Sequence, residues 1–490
     1  MPSVGLAMIV KNGAKTLREC IQSVAGVADQ IVIADTGSTD ETTQLARELG
    51  AEVFDFPWQD DFAQARNAAA RALTTDWVLV LDDDEELDPQ ARDQIPPLLN
   101  DSGMGAYSAI QRNYIPFKFV FGGYASFVKP IGSAIPRVER AQSYADLKSV
   151  RLFRHHPGIY YVGRVHELVD ARVAAVGLEI GFTDFVIHHF GNLSSAEECH
   201  RKDELYRRLG WLKVKDVPDE PQAWVELGLQ EFEQFKNYSV AVECFRKAFA
   251  LNISSTIAYL SLATLYVEIH DDVRALELLS TVPMKGRAEG EKEQVCGDAL
   301  YNLGRLKEAR AAYLRALRTL PEDARVGSKL GLTEVRLGLK KNGLARLAKA
   351  LKDAPVFEME DRQMKAYIVA NMRPQAAEAA ERMAHAWPTP TTILRAASIR
   401  AEMREWGTVQ GIVVEGLRLF PDDQELLQAK AELDQGKTGP KVFSSGKGGS
   451  QQNDQRTTDR SATDHSATDH STTDQCTTGL SEETTLSSRP

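Results

Sequence analysis

Five acids in a row, Asp82-Asp83-Asp84-Glu85-Glu86, follow directly on the apolar run Trp77-Val78-Leu79-Val80-Leu81. Two like charges about 4 Å apart repel by about 4 kcal/mol at an effective dielectric near 20. Such a run therefore needs open water or a cation. On an extended strand end, Asp82 and Asp84 point to one side and Asp83 to the other. That pair can offer two carboxylates to one divalent ion. Magnesium is commonly held by one or two carboxylates plus the phosphates of a substrate. A metal there would neutralise a diphosphate leaving group as its bond to a sugar breaks. Asp-x-Asp by itself is frequent by chance, and a solvated acidic turn is the competing account.

The elements that must position these acids come from hydrophobic patterning. Gly5–Val10, Gln30–Ala34, Ala51–Phe56 and Trp77–Leu81 read as strands, the apolar runs among them as strands buried on both faces. Between them, Leu17, Ile21 and Val24 mark one helix. Leu45 and Leu49 mark a second, capped by Ser38 or Thr39 and closed by Gly50, and a third runs from about Phe62 to Leu73. Strand and helix thus alternate as in an open α/β nucleotide-binding sheet, whose ligands bind at the carboxyl ends of the strands. Asp35 ends the second strand at that edge. Further strands are predicted near Tyr107–Ile110, Ser149–Arg154 and Phe185–Ile187. The aromatic, Gly-rich stretch Tyr114–Tyr124 has no readable structure, and long loops of this kind often cover an acceptor.

Four ordered stretches carry a resemblance. They are Met8-Ile9-Val10-Lys11-Asn12; Ile31-Val32-Ile33-Ala34-Asp35-Thr36-Gly37-Ser38-Thr39-Asp40; Trp58-Gln59-Asp60-Asp61-Phe62-Ala63-Gln64-Ala65-Arg66-Asn67; and Leu81-Asp82-Asp83-Asp84-Glu85. Over roughly residues 4 to 192 the chain resembles the family-two glycosyltransferases of GT-A fold. Within them it is most similar to the bacterial branch with peptide S-glycosyltransferases of the sublancin type and lipopolysaccharide-core glucosyltransferases. The resemblance implies that Asp35 contacts the uracil or ribose of a UDP-sugar and that Arg66 lies by the nucleotide and diphosphate. It places Asp82 near ribose and metal, and makes Asp84 a direct ligand of Mg²⁺ or Mn²⁺. Arginine suits bidentate phosphate recognition; a helix-capping turn at Asp35, and an ion pair of Arg66 with Asp60 or Asp61, are the plain alternatives. For the base of an inverting transfer the resemblance points to Val165-His166-Glu167-Leu168, where His-Glu replaces the Glu-Asp of many relatives, leaving Glu167 and His166 both open. A structural ion pair of Glu167 with Arg164 or Arg151 is the alternative. His188 and His189 resemble the late histidine that completes the metal shell, with the choice of ring open.

Beyond about Pro218 the chain is helical and repetitive. Ala241, Ala275 and Ala309 recur at the tetratricopeptide period, each followed four residues later by Phe245, Leu279 or Tyr313. Trp224 with Leu227-Gly228, and Tyr259 with Leu262-Ala263 and Tyr266, fit the first helix of such a unit. Pro321, Pro355, Pro388 and Pro421 fall between units, where they break no helix. About six repeats are predicted. From about Gly436 the sequence turns Gly/Ser/Thr/Asp-rich, with repeats around His465 and His470, and is expected to be disordered. The predicted organisation is a GT-A domain over 1–200, a linker over 201–220, a tetratricopeptide domain over 221–435 and a tail over 436–490.

Composition narrows the function. The chain has 490 residues, 58 Lys+Arg against 69 Asp+Glu, and a net charge of -11 without a basic stripe. General nucleic-acid binding is excluded on that ground. Five scattered cysteines without a CxxC pair suit a reduced, cytoplasmic chain. The absence of a signal-like leader or spanning apolar run leaves only peripheral membrane contact. The reading is a metal-dependent inverting hexosyltransferase using a UDP-sugar (glucose or N-acetylglucosamine), with the repeats presenting a protein or peptide acceptor or partner. A lipopolysaccharide-core or glycolipid acceptor is the alternative, and a non-catalytic tetratricopeptide scaffold the second. A nucleotidyltransferase would carry a Gly-rich basic loop after the first strand, and Lys11-Asn12-Gly13 is too sparse for one.

Overall fold

The computed structural model of the protein describes residues 2–116, 135–252 and 255–436. Most of the aromatic stretch before Tyr124 and the whole predicted tail from residue 437, with His465 and His470, lie outside them. The front domain is built on one eight-stranded mixed sheet. Its strands are β1 (Val4–Val10), β2 (Gln30–Asp35), β3 (Glu52–Asp55), β4 (Trp77–Val80), β5 (Glu85–Leu87), β6 (Met104–Ile115), β7 (Ser143–Arg154) and β8 (Glu179–His189). Their order across the sheet is β3-β2-β1-β4-β7-β6-β8-β5. The first four are parallel, as their apolar runs and intervening helices require. β7 then joins β4 antiparallel.

Alternation along β1 fills two cores. Leu6, Met8 and Val10 pack with Leu17 and Ile21 of α1 (Leu17–Ser23), Ala46 of α2 (Thr42–Glu48) and the later Ala91 and Ile95. Ala7 and Ile9 turn to the other side, against the alanine-rich face of α3 (Phe62–Ala72). Ala91 and Ile95 belong to α4 (Ala91–Leu98), and a short α5 (Asp170–Ala175) adds Val173 to the second core. The sheet is thereby covered on both faces, and its carboxyl edge is left to the loops.

Three local details differ from the sequence reading. β4 ends at Val80, and Asp82 to Asp84 lie in a turn closed by Glu85 N–H donating to Asp82 O at 3.0 Å. The extended-strand argument for the acidic run therefore does not apply, because the chain must reverse to pair β5 with β8. Neither Ser38 nor Thr39 caps α2. Asn12, at φ 56°, donates its N–H to Ser38 Oγ at 2.9 Å and accepts from Thr39 N–H at 2.8 Å, so both are committed to tying the first two loops together. The span predicted as a linker is largely one helix, α6 (Ala196–Asp216), 21 residues long and opened by a Ser195/Glu198 capping box.

Behind α6 follow α7 (Pro221–Glu233), α8 (Tyr238–Leu251), α9 (Thr256–Glu268), α10 (Asp272–Thr281), α11 (Arg287–Asn302) and α12 (Leu306–Thr319). The series continues with α13 (Ala324–Arg336), α14 (Lys340–Asp353), α15 (Phe357–Val369), α16 (Arg373–Ala386), α17 (Pro390–Glu402), α18 (Trp406–Leu419) and α19 (Gln424–Asp434). From α7 to α18 the helices form consecutive pairs in a tetratricopeptide-like solenoid. Ala241, Ala275 and Ala309, all 0% exposed, are the small contact residues of the second helices. Gly228 faces Phe245 so closely that a Cβ would lie 2.6 Å from the ring. A side chain there would hold α7 away from α8. Pro321, Pro355, Pro388 and Pro421 all fall between pairs.

Candidate functional site

A cleft of ≈ 760 Å³ opens at the carboxyl edge of the sheet, bounded by the acidic turn, β6 and β7, the loop before α5, and α6. Arg66, Asp82, Asp84, His166, Glu167 and His189 all line it. Residues separated by a hundred positions in sequence thus meet in one place.

Arg66 is its central cation. Its Nε donates to Glu167 Oε1 at 2.5 Å, and its NH2 lies 2.8 Å from Asp82 Oδ1. The side chain is 11% exposed, and NH1 is buried with no partner among the described residues. A buried, unpaired N–H of a charged group is costly, so this donor is set to receive an anion. Burial works against ionisation of Asp82, but Arg66 and Arg151 outweigh it and hold that carboxyl well below the usual range. Neither sequence alternative for Arg66 occurs. Asp60 instead pairs with Arg208 at 2.7 Å, and Asp61 caps α3. The two arginines suggested for Glu167 are likewise engaged elsewhere: Arg151 with Glu85, and Arg164 with Asp216.

The floor of the cleft follows from strand register. β5 pairs with β8 so that Glu85 faces His189 and Glu86 faces His188. Adjacent residues of a strand point to opposite faces, so the two imidazoles separate. His188 is buried beside the stacked Tyr114 and Phe190, with Nδ1 2.8 Å from Tyr114 Oη and Nε2 3.0 Å from Asp88 Oδ2. It does not line the cleft. His189 does, with Nε2 3.6 Å from Asp84 Oδ1. Its Nδ1 lies 2.6 Å from Asn113 Oδ1, while the Asn113 amide donates to the Gln111 and Ala145 carbonyls. Asn113 therefore accepts from Nδ1–H, which directs the other ring nitrogen to Asp84. Burial alone would lower the His189 pKa, but the hydrogen bond and charge of Asp84 raise it.

These groups suit a divalent cation chemically, with two carboxylates and one imidazole. Gly191 supplies the space: a Cβ there would sit 2.7 Å from Asp84 Oδ2 and 2.8 Å from His189 Nε2. Among the described residues, no three His, Cys, Asp or Glu side chains are already gathered as a ligand set. Asp82, Asp84 and His189 fit a site that a substrate's phosphates would complete.

Asp83 points the other way and accepts from Thr16 Oγ1–H at 2.7 Å. Burial and the neighbouring Asp84 push its carboxyl up to about 6. Asp35 does not line the cleft. It is 5% exposed, and its carboxylate accepts from the Gly37 and Ser38 N–H groups at 3.2 and 3.0 Å. His166 is exposed in the left-handed region, φ 52°, with its ring edge-to-face on Tyr206 at 5.9 Å.

Sequence reasoning missed three contributors. Glu85, fully buried, accepts from Asp82 N–H at 2.9 Å, Arg151 NH2 at 2.9 Å and Gln111 Nε2 at 2.6 Å. It fixes the acidic turn rather than solvating it. Lys202 and Tyr206 of α6 form the cleft's far wall. Nothing in the local sequence signalled Glu85 beyond its position in the run. For α6 the signal present was the Ser195-x-x-Glu198 cap before a helical pattern.

Residues 6–119 match the family model described as glycosyl transferase family 2, and residues 237–337 that of a tetratricopeptide repeat-like domain. A TPR repeat-containing protein of Synechococcus elongatus is 34% identical over 176 residues, covering 36% of this chain and 38% of that one. An uncharacterised glycosyltransferase of Rickettsia felis is 32% identical over 111 residues, 23% of this chain and 39% of that one. The SPbeta prophage-derived glycosyltransferase SunS of Bacillus subtilis is 30% identical over 91 residues, 17% and 20% of the two chains. The chain thus spans well under half the length of these relatives.

Proposed function

Because the chain joins a family-two glycosyltransferase domain to a tetratricopeptide repeat-like domain, we propose that it transfers a hexose, glucose or N-acetylglucosamine, from a UDP-sugar to a protein or peptide acceptor. The reaction is inverting and depends on a divalent metal. The observation that carries this reading is the Asp82–Arg66–Glu167 chain of contacts lining the cleft, with Arg66 NH1 buried and unpartnered.

Asp82, Asp84 and His189 would hold Mg²⁺ or Mn²⁺, and a bound ion supplies electrostatic neutralisation of the leaving diphosphate. The remaining work falls to the chain itself. Arg66 NH1 binds the diphosphate, and Asp35, at the end of β2, serves the nucleoside end. Arg66 Nε anchors Glu167 through Oε1, leaving Oε2 to take the proton from the acceptor's nucleophilic atom. That atom bonds to the anomeric carbon from the face opposite the diphosphate, and the breaking C–O pair departs with the diphosphate oxygen. Glu167 is preferred to His166 because it is anchored inside the cleft, whereas His166 is exposed on its left-handed turn. The repeats present the acceptor or a partner, and the protein works in the cytoplasm. Leu168 and Leu147, 59% and 46% exposed at the cleft, support a second reading in which the acceptor carries a lipid, reached from the membrane surface. No described helix is long and apolar enough to cross a membrane.

The test is UDP release from UDP-glucose or UDP-N-acetylglucosamine by the purified chain with Mn²⁺. Asp84→Ala should abolish release and weaken UDP binding in Mn²⁺. Unchanged release and affinity would overturn the metal site, and no release from either donor by the wild type would overturn the donor assignment.

A further inference from the structure

We propose that Lys202, on the helix that joins the two domains, is a diphosphate-binding residue that closes the donor site opposite Arg66. The inference rests on the UDP-sugar reading and goes beyond it, because Lys202 lies outside both matched segments.

The arginines of the cleft are already engaged. Arg151 is engaged with Glu85, and Arg66 with Asp82 and Glu167. Lys148 lies over the Phe182 ring at 5.7 Å. Lys202 lines the same cleft and has no carboxylate within 4 Å among the described residues. Its Nζ rests 5.7 Å from the centroid of Tyr206, one turn further along α6. Tyr206 is itself wedged edge-on between Phe62 and His166, at 5.7 and 5.9 Å. The ammonium is therefore steered over the cleft by an aromatic platform belonging to its own helix.

The helix is fixed to the front domain. Arg208 makes two 2.7 Å hydrogen bonds to Asp60, Lys213 donates to Val165 O at 2.9 Å, and Asp216 pairs with Arg164. These contacts hold the lysine in register with the loop bearing Glu167. Among the described residues Arg66 NH1 is buried without a partner, and Lys148 and Lys202, both exposed at the cleft, have no carboxylate within 4 Å. The ring under Lys148, Phe182, lies outside the cleft lining, whereas Tyr206 under Lys202 belongs to it, as does the Asp84–His189 pair. Desolvation works against the charged form of Lys202, and the neighbouring Tyr206, Asp84 and Asp82 outweigh it. A diphosphate has oxygens for both Arg66 NH1 and Lys202 Nζ, and its charge grows as the sugar–oxygen bond breaks and the bonding pair stays on oxygen.

The experiment is isothermal titration of the full chain with UDP and with uridine, in Mn²⁺. Lys202→Gln should bind UDP about tenfold or more weakly, the loss of one charge-assisted contact, with uridine affinity unchanged. Lys202→Arg should recover most of the UDP affinity. UDP binding by Lys202→Gln equal to wild type would overturn the inference alone. Equal loss of uridine binding would also overturn it, since the residue would then be shaping the pocket. Wild-type protein that binds no UDP would overturn the donor reading and this inference with it.

Discussion

In the helical array Glu231 is fully buried, and its carboxylate receives Arg207 Nε at 2.8 Å, Arg207 NH2 at 3.1 Å and Trp211 Nε1 at 3.1 Å. In the cleft Arg66 is nearly as deep, contacts two carboxylates on separate elements and still leaves NH1 without a partner. The array repeats its solution: Glu334 takes Arg310 and Arg346, and Glu360 takes Nε and NH2 of Arg382. Each of these glutamates is matched within the chain, at positions where successive helices must be kept in register. The contrast separates two uses of the same ion-pair chemistry. A buried pair with its hydrogen bonds completed is architecture; Arg325 Nε in the array is also buried without a partner among the described residues, so what sets Arg66 apart is that its open pair lines a cleft.

Three substitutions test that contrast. Glu167→Gln keeps a partner for Arg66 Nε but removes the proton acceptor. Turnover should fall about 10²- to 10⁴-fold while UDP affinity changes little, which steady-state rates and titration together check. A rate within threefold of wild type would remove Glu167 from the reaction. Arg207→Met should act in the opposite sense. It leaves Glu231 buried and short of its main partner, and should cost about 3 kcal/mol of stability with UDP affinity intact, measured by urea unfolding followed through the helical signal. Loss of UDP binding without loss of stability would erase the distinction between the two regions.

The smallest effect is a pH dependence from Asp83. An acid whose folded pKa is raised contributes its stability fully below its unfolded value, near 4, and loses it as pH rises through the folded value. With Asp83 pushed up to about 6, metal-free wild type should lose about 2 kcal/mol from this group between pH 4 and 6. Asp83→Asn should flatten that slope and be the more stable protein at pH 7. Parallel urea midpoints for the two proteins across that range would show that Asp83 is not the source.

Most of the architecture was legible because it depends on short-range pattern. The apolar runs of β1, β2 and β4 and the helices between them require a covered parallel sheet, and the recurrence at Ala241, Ala275 and Ala309 requires stacked helix pairs. Loop and end details were less legible. Ser38 and Thr39 have the chemistry of helix caps, yet they bind Asn12, since a competing hydrogen bond across two loops is invisible to local propensity.

Local pattern places Asp35, Asp82 and Asp84 directly after or at the end of strands and Arg66 in the helix before β4, because the positions of strands and helices follow from hydrophobic spacing. The folded chain alone separates the two histidines, since a one-residue difference in the β5–β8 register would exchange their faces. Only it revealed Glu85 as the acid that fixes the turn, and brought Lys202 and Tyr206 to the cleft. Those outcomes depend on strand pairing and helix docking between residues far apart in the chain, and no local pattern encodes them.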